Sequence, residues 1–288
     1  MPDARFLVAE SETAGARERR RAMSGRSSGE TLADLLHTLA PQASCEIVAP
    51  VDPGPDARPQ AALSDYDAVF LTGSSLHVYR NSPAVRRQID FMRAVFASET
   101  PSFGSCAGLQ VAVAAAGGAV RENRQGCEIG FARRIVRTEA GWAHPLLAGR
   151  PGVFDAPTIH SDEVETLPEG ATLLAGNRVT SVQAAEVRLN GGVFWGVQYH
   201  PELPLREIAD GIRRQASDVL ERRLAPDEDA VEFYARKLEA LDRDPERRDI
   251  AWLLGLDEEV TDPARRQVEL RNFLQDLVEP TRIRRGRA

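Results

Sequence analysis

The chain has 288 residues, 42% hydrophobic and 27% charged, an ordinary balance for a globular protein and enough length for one large α/β unit. Its net charge of -7 argues against a nucleic-acid binder, whose footprint is basic, and leaves the ending "RIRRGR" to be read as a solvated tail. No run approaches the ~18 apolar residues of a membrane span, "MPDARFLVAE" lacks the pattern of a signal peptide, and Cys45, Cys106 and Cys127 have neither disulfide-framework nor metal-ligand spacing, so the expectation is a cytoplasmic protein without a metal or a membrane partner.

"RFLVAE" (5–10) and "CEIVAPV" (45–51) read as short buried strands. Between them Leu32, Leu35, Leu36 and Leu39 recur at helical spacing, with Ser28 as the cap and Pro41 past the end. "DAVFLTG" (67–73) is a third strand, and 82–98 a second helix with Pro83 suited to its first position. "PSFGS" (101–105) is a fourth strand, followed by a helix that Gly117 and Gly118 stop. Strands alternating with helices imply an open, mainly parallel sheet with helices on both faces.

Residues 119–138 then read as antiparallel strands, and "GGVFWGVQYHPE" (191–202) as a buried strand ending in a loop. From Leu205 the composition changes: segments 205–223, 227–242, 246–254 and 263–278 are charged, amphipathic and nearly glycine-free, punctuated by Pro226, Pro245 and Pro263. The chain therefore divides into an α/β domain, 1–204, and an all-α extension, 205–288. Leu220, Leu224, Phe233, Leu238 and Leu241 form apolar stripes on that extension, and Trp252, Leu253, Leu254 and Phe273 add to them. Helices this short need burial, so the expectation is packing within the chain.

Cys106 stands where a strand ends and a helix begins, the place where reactive groups collect in an open parallel sheet. A tight strand-to-helix turn exposes its central side chain and needs small neighbours, which Gly104, Ser105, Ala107 and Gly108 supply. A cysteine nucleophile also needs a base and an acceptor to orient it. Among five histidines, His200 follows a strand-like run and has Glu202 two residues on. In extended chain those two side chains share a side.

"GSCAGLQ" resembles the G-x-C-x-G-x-Q nucleophile motif of class I, triad-type glutamine amidotransferases, and "GVQYHPE" resembles their G-x-Q-[FY]-H-P-E motif. "LTGSSLHVY" (71–79) is similar to the family's glycine-rich loop, and "IHSDEVETLP" (159–168) to a stretch familiar from GMP synthetase amidotransferase domains. The resemblance, over residues 5 to 204, implies a flavodoxin-like fold and hydrolysis of the glutamine γ-amide through a cysteinyl thioester, with no cofactor. It makes Cys106 the nucleophile, His200 the acid/base and Glu202 its orienter. The backbone N–H groups of Gly73 or Ser74 and of Ala107 become the oxyanion hole, with Gln110, Ser75 and Gly130 at the substrate. His160 falls in a family motif as a structural or gating residue. The loop departs from the usual Gly-Gly-Pro, with serine at 74 and 75, which requires a backbone that a residue with a Cβ can adopt.

No G-x-x-x-x-G-K-[ST] loop or synthetase nucleotide loop accompanies these motifs, so the chain is not a complete synthetase. Ammonia would pass to an acceptor or a partner synthetase. The alternatives are a free-standing hydrolase or transferase of γ-glutamyl amides, which the extension would complete, and a non-catalytic binding protein of the same fold, which the intact triad disfavours. Self-association is open in every case.

Overall fold

The computed structural model describes residues 3–287. In chain order they form β1 (Arg5–Ala9), α1 (Ala14–Ser24), α2 (Ser28–Leu39), β2 (Ser44–Val48), β3 (Ala68–Leu71), α3 (Pro83–Ala97), β4 (Ser102–Ser105) and α4 (Ala107–Ala115). There follow β5 (Ala119–Glu122), β6 (Glu128–Arg137), α5 (Glu139–Ala143), β7 (Val153–His160), β8 (Asp162–Thr166), β9 (Ala171–Gly176), β10 (Ala184–Leu189) and β11 (Gly192–Val197). The rest is helical: α6 (Leu205–Arg214), α7 (Ala216–Glu221), α8 (Glu228–Arg243), α9 (Arg248–Leu254), α10 (Glu258–Thr261), α11 (Pro263–Arg266), α12 (Val268–Asn272), a π-helical segment (Phe273–Val278) and α13 (Glu279–Arg284).

A nine-stranded sheet runs β2-β1-β3-β4-β11-β10-β9-β6-β7. It is parallel from β2 to β11 and antiparallel beyond, while β5 and β8 pair separately. The antiparallel strands expected over 119–138 are β5 and β6, while β7 to β10 have no counterpart in the sequence reading. α1 is also unanticipated, because it buries no residue and so carries no apolar period. The cap of α2 is Ser27, not Ser28: its hydroxyl accepts from Glu30 N–H while the Glu30 carboxylate accepts from Ser27 N–H. Only Ser27 stands three residues before that glutamate, as a capping box requires.

Alternation along the strands sends their side chains to two cores. Leu7, Val69 and Leu71 meet α3 and α4 on one face. On the other, Phe6, Phe70, Phe103 and Trp195 meet α2 and, from the far end of the chain, Leu270, Phe273, Leu274 and Val278. A third core joins Phe131 and Leu203 to Ile208, Ile212, Val231, Leu238, Leu241 and Leu254 of the helices after β11. The extension thus packs within the chain, although part of the expected stripe faces water: Leu224, Phe233, Trp252 and Leu253 are exposed, while on α8 Val231 and Ala235 join the expected Leu238 and Leu241 on the buried side. Buried Arg150 ties the extension down, its Nε and Nη2 bonded to the two Glu269 carboxylate oxygens at 2.7 and 2.9 Å and its Nη1 to Glu259 at 2.8 Å. At the very end, Arg285 and Arg287 donate to backbone carbonyls of Ser64, Tyr66 and Glu99 around the start of β3.

Candidate active site

β4 delivers Cys106 and α4 carries the chain away from it. Cys106 lies at φ 52, ψ -111, a left-handed conformation that a residue with a Cβ holds only under constraint. The constraint is visible: Cys106 N–H donates to Val197 O at 2.8 Å, tying the turn to the end of β11. Close packing forbids larger neighbours, since a Cβ on Gly108 would stand 2.8 Å from the Leu71 carbonyl oxygen. The sulfur points to the Ile159 carbonyl, 3.8 Å away.

His200 leaves the end of β11, its N–H bonded to Pro157 O at 2.7 Å. Its Nδ1 is 2.7 Å from Glu202 Oε1, and that same oxygen accepts from Ser105 Oγ at 2.8 Å. All three side chains are buried. Burial opposes a charge on the imidazole, but the Glu202 carboxylate and the Cys106 sulfur outweigh it and push the His200 pKa up to about 10. Burial likewise opposes the Glu202 charge, and the imidazolium with the Ser105 hydroxyl holds that pKa below its ordinary value. Nδ1 faces the carboxylate, leaving Nε2 for the sulfur and the substrate.

The loop after β3 closes over this pair. Ser11 N–H donates to Thr72 Oγ1, whose hydroxyl donates to Gly73 O, so the loop is anchored from β1. Neither Ser74 nor Ser75 has a positive φ, which answers the conformational question that the departure from Gly-Gly-Pro raises. Among the described residues the N–H groups of Gly73, Ser74 and Ala107 donate to no protein acceptor, and Gly73 and Ala107 flank the sulfur's turn. Ser75 is engaged: its N–H and hydroxyl donate to Glu12 at 2.7 and 3.0 Å. Gln110 is buried on α4, its Nε2 donating to Asp162 O and Gln198 Oε1, both at 3.2 Å. Gly130 sits in β6 against Ile212, while its neighbour Ile129 reaches the cavity beside Cys106. His160 is clamped between Glu128 and the Asp162 carbonyl, consistent with a structural part.

Two chambers meet at Cys106. One, of about 270 Å³, is lined by Gln110, Cys127, His160 and Asp162 and, from the extension, Gln215, Asp218 and Arg222. The other, of about 170 Å³, holds His200 and Glu202 together with Glu12, Arg20, Ser28 and Arg214. Sequence reasoning missed the contributions of residues 12–28 and 214–222, which lie in polar segments with no motif. Arg20 is paired with Glu207 of α6, so α1 and the extension close the second chamber between them.

A sequence model of the glutamine amidotransferase class-I family matches residues 30–215. The chain belongs to that family. It is therefore an enzyme of amide hydrolysis and transfer, and its mixed sheet carries the flavodoxin-like fold of class-I amidotransferases. The amidotransferase chain is 35% identical to a γ-glutamyl-L-1-hydroxyisopropylamide hydrolase from a Pseudomonas species, over 99% of this chain and 97% of that protein. It is 33% identical to a glutamine-hydrolysing GMP synthase from Porphyromonas gingivalis, but over 49% of this chain and only 26% of that protein. A solved glutamine amidotransferase from Thermotoga maritima superposes with a TM-score of 0.65 at 17% identity, covering 97% of this chain and 100% of that one, a likeness of fold. No helix among the described residues is long and apolar enough to cross a membrane.

Proposed function

We propose that this class-I amidotransferase works as a free-standing hydrolase of γ-glutamyl amides whose leaving group is a small amine, with Cys106 as nucleophile. The observation that carries this reading is that the chain's own segment from Arg214 at the end of α6 to Arg222 just past α7 walls the two chambers at the sulfur, with Gln215 lining both. The similarity to the hydroxyisopropylamide hydrolase supports it, since it runs through the extension as well as the sheet.

Cys106 attacks the γ-carbonyl carbon with its proton already resting on His200, whose raised pKa holds it there. The negative charge that forms on the oxygen meets the N–H groups of Ala107 and of Gly73 or Ser74, which nothing else occupies. The imidazolium, stabilised by Glu202, gives its proton to the departing nitrogen. The same imidazole then activates water, which attacks the thioester carbon and releases glutamate and the thiol. Every step is acyl transfer and proton transfer, so the chain's own groups suffice. A chamber of about 170 Å³ on the His200 side has room for an amine of a few carbon atoms.

Glutamine shares the acyl half of such substrates. The second reading, ammonia from glutamine handed to a partner synthetase, is favoured by the GMP synthase similarity. Exposed Trp252 and Leu253 would serve a partner or a second copy. Three free thiols fit a reducing, cytoplasmic setting. Steady-state hydrolysis of γ-glutamyl amides of small amino alcohols and of glutamine decides between the two. The expected result is a kcat/KM for the amino-alcohol amide at least about tenfold above that for glutamine. Faster glutamine turnover, rising further with a synthetase present, would establish the second reading.

A further inference from the structure

We propose that Asp218, on helix α7 of the extension, and Arg222, the residue that caps that helix, recognise the α-ammonium and α-carboxylate of the γ-glutamyl group. The substrates are then γ-glutamyl compounds whose amino-acid end is unblocked. This rests on the γ-glutamyl reading above and names what selects that group.

The position of His200 decides which chamber holds which half of the substrate. The imidazole must reach the leaving nitrogen, so the chamber that contains it receives the amine, and the larger chamber on the other side of Cys106 receives the glutamyl chain. That chain ends in a carbon bearing one cation and one anion. Unpaired, either charge would lose free energy on leaving water.

The sheet side of the larger chamber has no free charge to meet them. His77 Nδ1 is paired with Asp162 Oδ2 at 2.8 Å, His160 Nε2 with Glu128 at 3.1 Å, and Gln110 with Gln198 at 3.2 Å. The extension side differs. Asp218 and Arg222 line the same chamber and, among the described residues, their side chains have no hydrogen-bond or ion-pair partner, not even each other. They stand one turn apart at the C-terminal end of α7, the Arg222 N–H donating to Asp218 O, and carry opposite signs. Arg222 Nη1 lies 3.5 Å from where a Cβ on Gly126 would be, against the wall that also carries Cys127. An aspartate and an arginine held apart at that spacing complement an amino acid's ammonium and carboxylate. Gln215, three residues before Asp218, offers an amide beside them.

The test is calorimetric binding to the full chain carrying Cys106→Ala, alone and with Arg222→Gln or Asp218→Asn, using L-glutamate, its α-carboxamide and glutarate. Arg222→Gln should weaken L-glutamate by roughly tenfold to hundredfold while leaving the α-carboxamide unchanged. Asp218→Asn should weaken L-glutamate similarly and leave glutarate, which lacks the amino group, unchanged. Both side chains are exposed, so melting temperatures should match the parent's. In chain with Cys106 intact, the same substitutions should raise KM for a γ-glutamyl amide and change kcat little. Equal losses for L-glutamate and its analogues, no loss at all, or no L-glutamate binding by the parent would overturn the assignment. If the unsubstituted chain hydrolyses no γ-glutamyl amide, the proposed function falls, and the binding comparison still decides the role of Asp218 and Arg222.

Discussion

At Gly73 a single missing atom keeps the proposed base His200 in place: a Cβ there would stand 2.7 Å from His200 Cε1 and 3.7 Å from Cys106 Cβ. Gly73→Ala should therefore push the imidazole off line rather than unfold the protein. Since a displacement of about 1 Å can cost 10²-fold, kcat should fall roughly a hundredfold with an unchanged melting temperature. A near-normal rate would mean that the loop moves before the ring does. Glu202→Gln probes the charge behind the ring, and the rate should fall by roughly 10² to 10⁴. The pH dependence of stability has a definite sign. His200 has an ordinary value of 6.5 and a folded value of about 10, so its stabilising share is complete below 6.5 and lost as pH rises through 10. Glu202 is held below 4.5, so its share is present above that value and lost as pH falls. Thermal unfolding of the parent and Glu202→Gln should thus differ most between pH 4.5 and 6.5 and converge toward pH 10. A constant gap across that range would exclude the ion pair as the resting state.

Among the elements, the strand-turn-helix units were the legible ones. β4, Cys106 and α4 announce themselves by an apolar run, a cluster of small residues and a helix stop, and β11 ends in a histidine and glutamate at extended spacing. What the sequence concealed was whatever lacks a period. α1 buries nothing yet lines the chamber through Arg20, and Asp218 and Arg222, in a polar stretch with no motif, line the chamber of Cys106 only because the fold brings them there. β7 to β10 are short and mix polar with apolar residues because their neighbours in space, not in sequence, bury them. The extension's stripes were legible as helices, but an apolar residue on a helix does not declare which side is covered. Phe273 lies wholly inside, against Phe70, Phe103 and Trp195, while Trp252 is 78% exposed. Phe273→Ala should cost about 3–5 kcal/mol in denaturant unfolding. Trp252→Ala should stay within about 0.5 kcal/mol of the parent. Equal effects would mean that the extension is not seated as described.

For the molecule as a whole, the extension completes both a core and a loop. Glu269 bonds Arg150 and also accepts from Tyr199, the residue before His200, at 2.7 Å. Truncation after Leu205 would strip the cover from Phe70, Phe103 and Trp195 and leave Arg150 buried without its carboxylates. Breaking a buried pair alone costs about 3–5 kcal/mol, comparable to the whole margin of many domains. The truncated chain should be recovered mostly insoluble, with no hydrolase activity. A soluble, active fragment of unchanged melting temperature would instead make the extension a separate module. The clamp of Arg285 and Arg287 on the carbonyls of Ser64, Tyr66 and Glu99, just before β3 and β4, makes the order of synthesis matter. On a ribosome the earliest strands are synthesised well before the residues that cover them, by on the order of ten seconds at ~5–20 residues per second. A chain made only through β11 therefore holds Phe70 and Phe103 without their Phe273 cover, so this face of the sheet should finish folding only once residues 270–278 can reach it.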